Sequence, residues 1–130
     1  MYQVFVSHAS TDEWIAKTIC EKIERAGARS FLDKRDIASG DEIPDEIWEA
    51  IRRSQEFLVL LTPDSVDRPW VLLEIGMFLG RRKNGRIIAV RCHVDVDRIP
   101  DMIKSKKAIS INDVDDYLAD LAERVRAQQS

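Results

Sequence analysis

A chain of 130 residues is long enough to bury a core of its own and too short for two typical domains. Its composition, 45% hydrophobic and 33% charged with 5 Gly and 4 Pro, excludes a disordered or fibrous chain. With 20 Lys and Arg against 23 Asp and Glu, the net charge of -3 offers no global attraction to nucleic acid or anionic lipid, and neither is an expected partner.

The elements follow in order. "YQVFVS" is β-branched and aromatic and predicts a first strand over residues 2–7. "TDEWIAKTICEKIERAG" has apolar residues at helical spacing, counting Trp14, Ile15, Thr18, Ile19, Ile23 and Ala26, with Ser10 or Thr11 as N-cap and Gly27 as terminator. "ARSFLD" predicts a second strand, and "KRDIASGDEI" a polar loop with Gly40 near its tip. A second helix starts at Pro44, a favoured first-turn residue, and Trp48 is expected in its core face. "EFLVLLTP" and "GRIIAVRC" are near-continuous apolar runs, as in central parallel strands covered on both faces. Between them "SVDRPWVLLEIGMFLGRRK" predicts a third helix. "RIPDMIKS" predicts a short helix, "KKAISI" an edge strand, and "DVDDYLADLAERVRAQQ" a closing helix with Val114, Leu118, Leu121 and Val125 on one stripe.

Strands alternating with helices predict an α/β fold. The expectation is a single flavodoxin-like, doubly wound domain, with a five-stranded parallel sheet in the order 2-1-3-4-5 and helices on both faces. In such sheets ligands bind beyond the carboxyl ends of the strands, near the switch point between strands one and three. That edge collects Ser7, His8, Ala9 and Ser10; Asp33 and the loop to Asp41; Thr62, Pro63 and Asp64; Cys92 and His93.

Glu74 stands out because it interrupts the apolar run of the third helix, where an unpaired buried carboxylate is costly. Trp70, four residues earlier, shares its helical face, and that face can form the wall of the cleft. A plain interaction with the helix dipole is the alternative, although Glu74 lies beyond the first turn where a capping glutamate belongs. His8 suits phosphate binding or proton transfer, or is simply a turn residue. The turn "SHASTD" lacks the glycines of a dinucleotide fingerprint, and no His-Glu-x-x-His or P-loop occurs. Cys20 and Cys92 have no metal-ligand spacing and read as reduced core thiols of a cytoplasmic protein. No apolar run approaches the roughly 20 residues needed to span a bilayer, so no membrane association is expected.

"VFVSHAS", "FLDKRDIASGDEI" and "FLVLLTPDSVDRPWVLLEI", in that order, resemble the first box, the second box and the strand-three region of Toll/interleukin-1 receptor (TIR) domains. The resemblance runs from Tyr2 to about Val125. The Phe-Trp third box of animal receptor-type members has no counterpart, which leans towards the microbial branch. The resemblance implies one TIR domain over residues 1–130, standing alone or as the N-terminal part of a larger protein. It implies an NAD+ glycohydrolase that releases nicotinamide and leaves ADP-ribose or a cyclic isomer, in microbial defence signalling. Trp70 and Glu74 match the family's Trp-x-x-x-Glu motif, with Glu74 as catalytic residue and Trp70 at the substrate. By the same resemblance, Ser7 and His8 line the site, Asp33 sits at its rim, and Arg35 meets a phosphate or is a solvated loop charge. Asp36 and Gly40 belong to a loop that gates access or packs on a neighbour. NAD+ is then a substrate, no cofactor or metal is required, and the partners are other TIR domains and a fused or separate sensor. Two further readings stay open: a non-enzymatic TIR interaction module, and a nucleoside 2-deoxyribosyltransferase-like enzyme.

Overall fold

The structure, a computed structural model, describes residues 1–33, 42–82 and 85–129. The strands are β1 (Gln3–Ser7), β2 (Arg29–Leu32), β3 (Glu56–Leu61), β4 (Arg86–Arg91) and β5 (Ala108–Ser110). The α-helices are α1 (Glu13–Arg25), α2 (Asp45–Arg53), α3 (Pro69–Arg81) and α4 (Val114–Gln129). Every strand pairing is parallel, and the sheet order is β2-β1-β3-β4-β5, as the sequence predicts.

β1 and β3 are buried along their whole length, because helices cover both faces of the sheet. The two-residue alternation of the strands sorts the core into two layers. Phe5, Phe57, Val59 and Leu61 face one way and pack with Ile47 and Ile51 of α2 and with Val71, Ile75 and Phe78 of α3. Val4, Val6, Leu58 and Leu60 face the other way and pack with Ile19 and Ile23 of α1 and with Leu118, Leu121 and Val125 of α4. Gly27, with φ +99, ends α1 in a conformation that other residues resist. A Cβ on Gly85 would stand 2.7 Å from the Phe78 ring, so glycine lets the start of β4 close on α3.

The structure departs from the sequence reading in several places. α1 begins only at Glu13, after a 3-10 turn over Ser10–Asp12, and neither Ser10 nor Thr11 caps it; the Thr11 hydroxyl instead donates to Asp64. Trp14 is 79% exposed: the buried stripe of α1 is Ala16, Ile19, Cys20 and Ile23, and Trp14 lies two residues, about 200°, from Ala16 around the helix. Trp48 is 50% exposed, since Ile47, Ala50 and Ile51 take the core face of α2. The short helix expected over residues 98–105 is instead a pair of 3-10 turns, Val96–Arg98 and Asp101–Ile103. Pro100, with no amide hydrogen to give, separates them. Cys20 is a buried thiol, whereas Cys92 is only partly covered. Among the described residues, no helix is long and apolar enough to cross a membrane.

Candidate active site

Register places the polar residues of the site above an aromatic floor. Phe5 pairs with Phe31 on β2 and with Phe57 on β3, and the rings stack across the sheet with centroids 5.3 Å apart on either side. Phe57 continues the row to Phe78 of α3, again at 5.3 Å. Ser7 and Asp33 come two residues after Phe5 and Phe31, so alternation points them to the same face, one step nearer the carboxyl edge. Two helices cover that face, α2 and α3, and α3 supplies the side chains that meet Ser7 and Asp33. Pro69 opens it with a pre-set φ and no hydrogen-bonding amide to strand, which fixes the phase that brings Trp70 and Glu74 inward together.

The contacts are specific. The Ser7 hydroxyl donates to Glu74 Oε1 at 2.6 Å, and the Trp70 indole Nε1 donates to Asp33 Oδ2 at 3.1 Å. Glu74 is 1% exposed and Asp33 7%. Glu74 Oε2 is buried and has no hydrogen-bond partner. Burial pushes the Glu74 carboxyl up to about 8; the bond from Ser7 opposes this, while the charge of Asp33 and a hydrogen bond between the two carboxyls reinforce it. At neutral pH Glu74 is therefore largely a neutral acid, held ready to ionise.

The turn after β3 braces this edge. Thr62 Oγ1 donates to Asp12 Oδ2 at 2.6 Å and accepts from the Asp64 and Ser65 amides at 3.2 Å, while Ser65 Oγ accepts from the Thr62 amide at 2.8 Å. The loops that follow β1 and β3 are thereby tied together beside the site. Sequence reasoning put Thr62 at this edge but gave it no part, and it did not single out Asp12. A threonine at a strand's end, followed by Pro-Asp-Ser, was the available signal for a side-chain-capped turn.

Of the residues singled out from sequence, Ser7, Asp33, Trp70 and Glu74 converge in two linked hydrogen-bonded pairs. His8, next along the chain from Ser7, is buried as well. Two expectations need correction. Glu74 does not line an open cleft, and Asp33 is not at a rim; both are sealed where β1, β2 and α3 meet, since Ser7 and Trp70 engage the carboxyls that a cleft would leave to water. Arg35, Asp36 and Gly40 lie outside the described residues. No cluster of potential metal ligands occurs among the described residues. A groove of about 980 Å³ opens between α2 and α3, lined by Trp48, Leu72, Leu73, Gly76, Met77 and Gly80; it holds none of these carboxyl-site residues.

Fold and site together define a doubly wound α/β domain with a buried carboxylate, carried on the helix after β3, at the carboxyl edge of its sheet. The chain belongs to the TIR domain family, whose profile matches residues 4–125. It is 28% identical over 130 residues to the 2' cyclic ADP-D-ribose synthase AbTIR of Acinetobacter baumannii, covering 99% of this chain and 44% of that protein. It is 26% identical over 128 residues to the 2' cyclic ADP-D-ribose synthase BtTIR of Bacteroides thetaiotaomicron, covering 92% of this chain and 45% of that one. The chain thus spans less than half the length of these relatives. Among solved structures, the TIR domain of the Toll-related receptor TRR-2 from Hydra magnipapillata superposes with a TM-score of 0.68 at 25% identity, covering 97% of this chain and 99% of that one.

Proposed function

We propose that this domain cleaves the bond between nicotinamide and ribose in NAD+, with Glu74 as the catalytic residue, and releases ADP-ribose or a cyclic isomer of it. The observation that carries the reading is the setting of Glu74: a carboxyl buried in a protein interior, held by Ser7 and flanked by Trp70 and Asp33. The names of the bacterial relatives support it, since a cyclic ADP-ribose is what remains of NAD+ once nicotinamide has left and the freed ribose carbon has bonded within the molecule.

The chemistry suits a single carboxylate. Nicotinamide leaves as a neutral molecule, so no general acid is required at the leaving group. The ribose develops oxocarbenium character, which an ionised Glu74 stabilises electrostatically or captures as a covalent ribosyl ester, as in glycoside hydrolysis. Low local polarity strengthens that interaction once the carboxyl is ionised. Water or a hydroxyl of the same nucleotide then takes the ribose carbon, giving the open or the cyclic product. Because Glu74 is sealed in the resting form, substrate reaches it only after the cover shifts.

The exposed apolar groove between α2 and α3 favours self-association as part of the working state, and it is also the observation that favours a purely interacting TIR module. Incubation of the concentrated domain with NAD+, followed by chromatography, separates the readings. Nicotinamide release that drops at least about a hundredfold in Glu74→Ala establishes the enzyme. No release at any concentration selects the interaction module. Activity on deoxynucleosides but not on NAD+ selects the deoxyribosyltransferase-like reading.

A further inference from the structure

We propose that Ser7 is a positioning residue that gives the two oxygens of Glu74 different work: its hydroxyl fixes Oε1, which leaves Oε2 as the oxygen that faces the ribose carbon. The proposal rests on the reading of Glu74 as the site of cleavage and deepens it, by naming which atom of the carboxylate acts and what aims it.

The torsion that ends a glutamate side chain is broad and close to two-fold, so an unanchored carboxylate presents either oxygen over a wide range of angles. A carboxylate that stabilises or captures a ribose carbon must bring one oxygen to about 3–3.5 Å along a defined line. Glu74 is anchored at one oxygen. Oε1 accepts from the Ser7 hydroxyl at 2.6 Å, while Oε2 is buried with no hydrogen-bond partner. Ser7 is suited to the task by its place in the sheet. It ends β1, which is paired with β2 on one side and with β3 on the other, where Ser7 lies opposite Val59. Ser7 and Glu74 are each 1% exposed, so water does not compete for the bond. A hydroxyl has one proton to donate, and that of Ser7 goes to Oε1; Ser7 therefore acts through Glu74 rather than on the substrate. A donor at Oε1 also favours the ionised carboxyl, the form the chemistry needs, against the burial that opposes it.

Once Glu74 has released its proton to solvent, the step balances within the ligand. The bond from the ribose carbon to the nicotinamide nitrogen breaks and its electron pair leaves with nicotinamide. Oε2 faces or bonds the positive carbon, while Ser7 keeps its proton and stays on Oε1.

The test ranks substitutions at Ser7 by what they keep. Ser7→Ala removes the donor, Ser7→Cys fills the space with a weak donor, and Ser7→Thr keeps the hydroxyl. In Ser7→Ala and Ser7→Cys, kcat for NAD+ should fall roughly tenfold to a hundredfold with KM within about threefold, and it should return close to the wild-type value in Ser7→Thr, in an order that does not follow Tm. A second readout needs no turnover. The infrared carbonyl band of Glu74 is isolated by subtracting the spectrum of Glu74→Gln at about pH 6, where the carboxyl holds its proton. A hydrogen bond to a carbonyl oxygen weakens its double bond, so the band should move to higher frequency in Ser7→Ala and stay in place in Ser7→Thr. Three results would overturn the proposal: activity that follows side-chain volume, with Ser7→Cys restored and Ser7→Thr not; a raised KM with unchanged kcat; or an unmoved band in Ser7→Ala. If Ser7→Ala does not fold, the comparison of Ser7→Cys with Ser7→Thr decides. A wild-type domain that leaves NAD+ intact rejects the cleavage reading and the role of Oε2 with it, whereas cleavage with an unmoved band rejects Ser7 alone.

Discussion

Glu74 is the residue at which stability and function oppose each other. Its folded-state carboxyl titrates near 8, above the ordinary value of 4.5, so between those values the folded protein binds more protons than the unfolded chain. Stability from this group is fully present below about pH 4.5 and is lost as pH rises through about 8. Glu74→Gln keeps the shape and removes the ionisation. Its Tm should match that of the wild type near pH 5 and exceed it increasingly towards pH 9, by on the order of 3 kcal/mol of stability. Thermal melts across that range decide the matter: parallel curves for the two proteins would mean that Glu74 ionises as freely as on a surface. The Trp-x-x-x-Glu spacing and the misplaced charge were readable in the sequence. The partners were not, because Ser7 lies 67 residues from Glu74 and Asp33 37 residues from Trp70, and only sheet register brings them together.

The elements were most legible where the apolar pattern was unbroken, as in β1, β3 and β4, and where both sheet faces needed covering. Legibility fell on the amphipathic helices. In α1 an exposed Trp14 mimicked the start of the core stripe, and in α2 an exposed Trp48 stood next to the real one. An aromatic ring carries no mark of which side of a helix is inside. The turn from β3 into α3 is set by Thr62, whose hydroxyl bonds Asp12 and two amides of the turn. Thr62→Ala leaves these groups to water or unpaired and should cost about 1–2 kcal/mol in a denaturant titration. Amide exchange should speed up at Asp64 and Ser65 while the amides of β3 keep their protection. Unchanged exchange at those two amides would show that the turn is held by backbone bonds alone.

Two buried glutamates stand at opposite ends of the sheet and on opposite faces of it, Glu56 facing α4 and Glu74 carried on α3, and their surroundings differ. Glu56, at the start of β3, is 0% exposed and accepts from Arg124 of α4 through Nε at 2.7 Å and through a second guanidinium nitrogen at 3.0 Å. The Tyr117 hydroxyl donates to it at 2.9 Å, and the Tyr2 hydroxyl adds a further bond. Burial and the neighbouring glutamate push the Tyr2 phenol up to about 12, so it remains a donor throughout the physiological range. This carboxylate has its cation and its donors within the chain, and it locks the N-terminal strand, the central strand and the closing helix together. Among the described residues, no cation is paired with Glu74 in the same way. Removing Arg124 should turn Glu56 into an uncompensated carboxyl. Arg124→Leu is expected to lose about 3 kcal/mol or more. Adding Glu56→Gln to Arg124→Leu should recover much of that loss, because the penalty lies in the orphaned charge rather than in the missing bridge. Denaturant titrations of the two variants separate the cases: a loss unrelieved in the double variant would mean that Arg124 contributes packing and not charge.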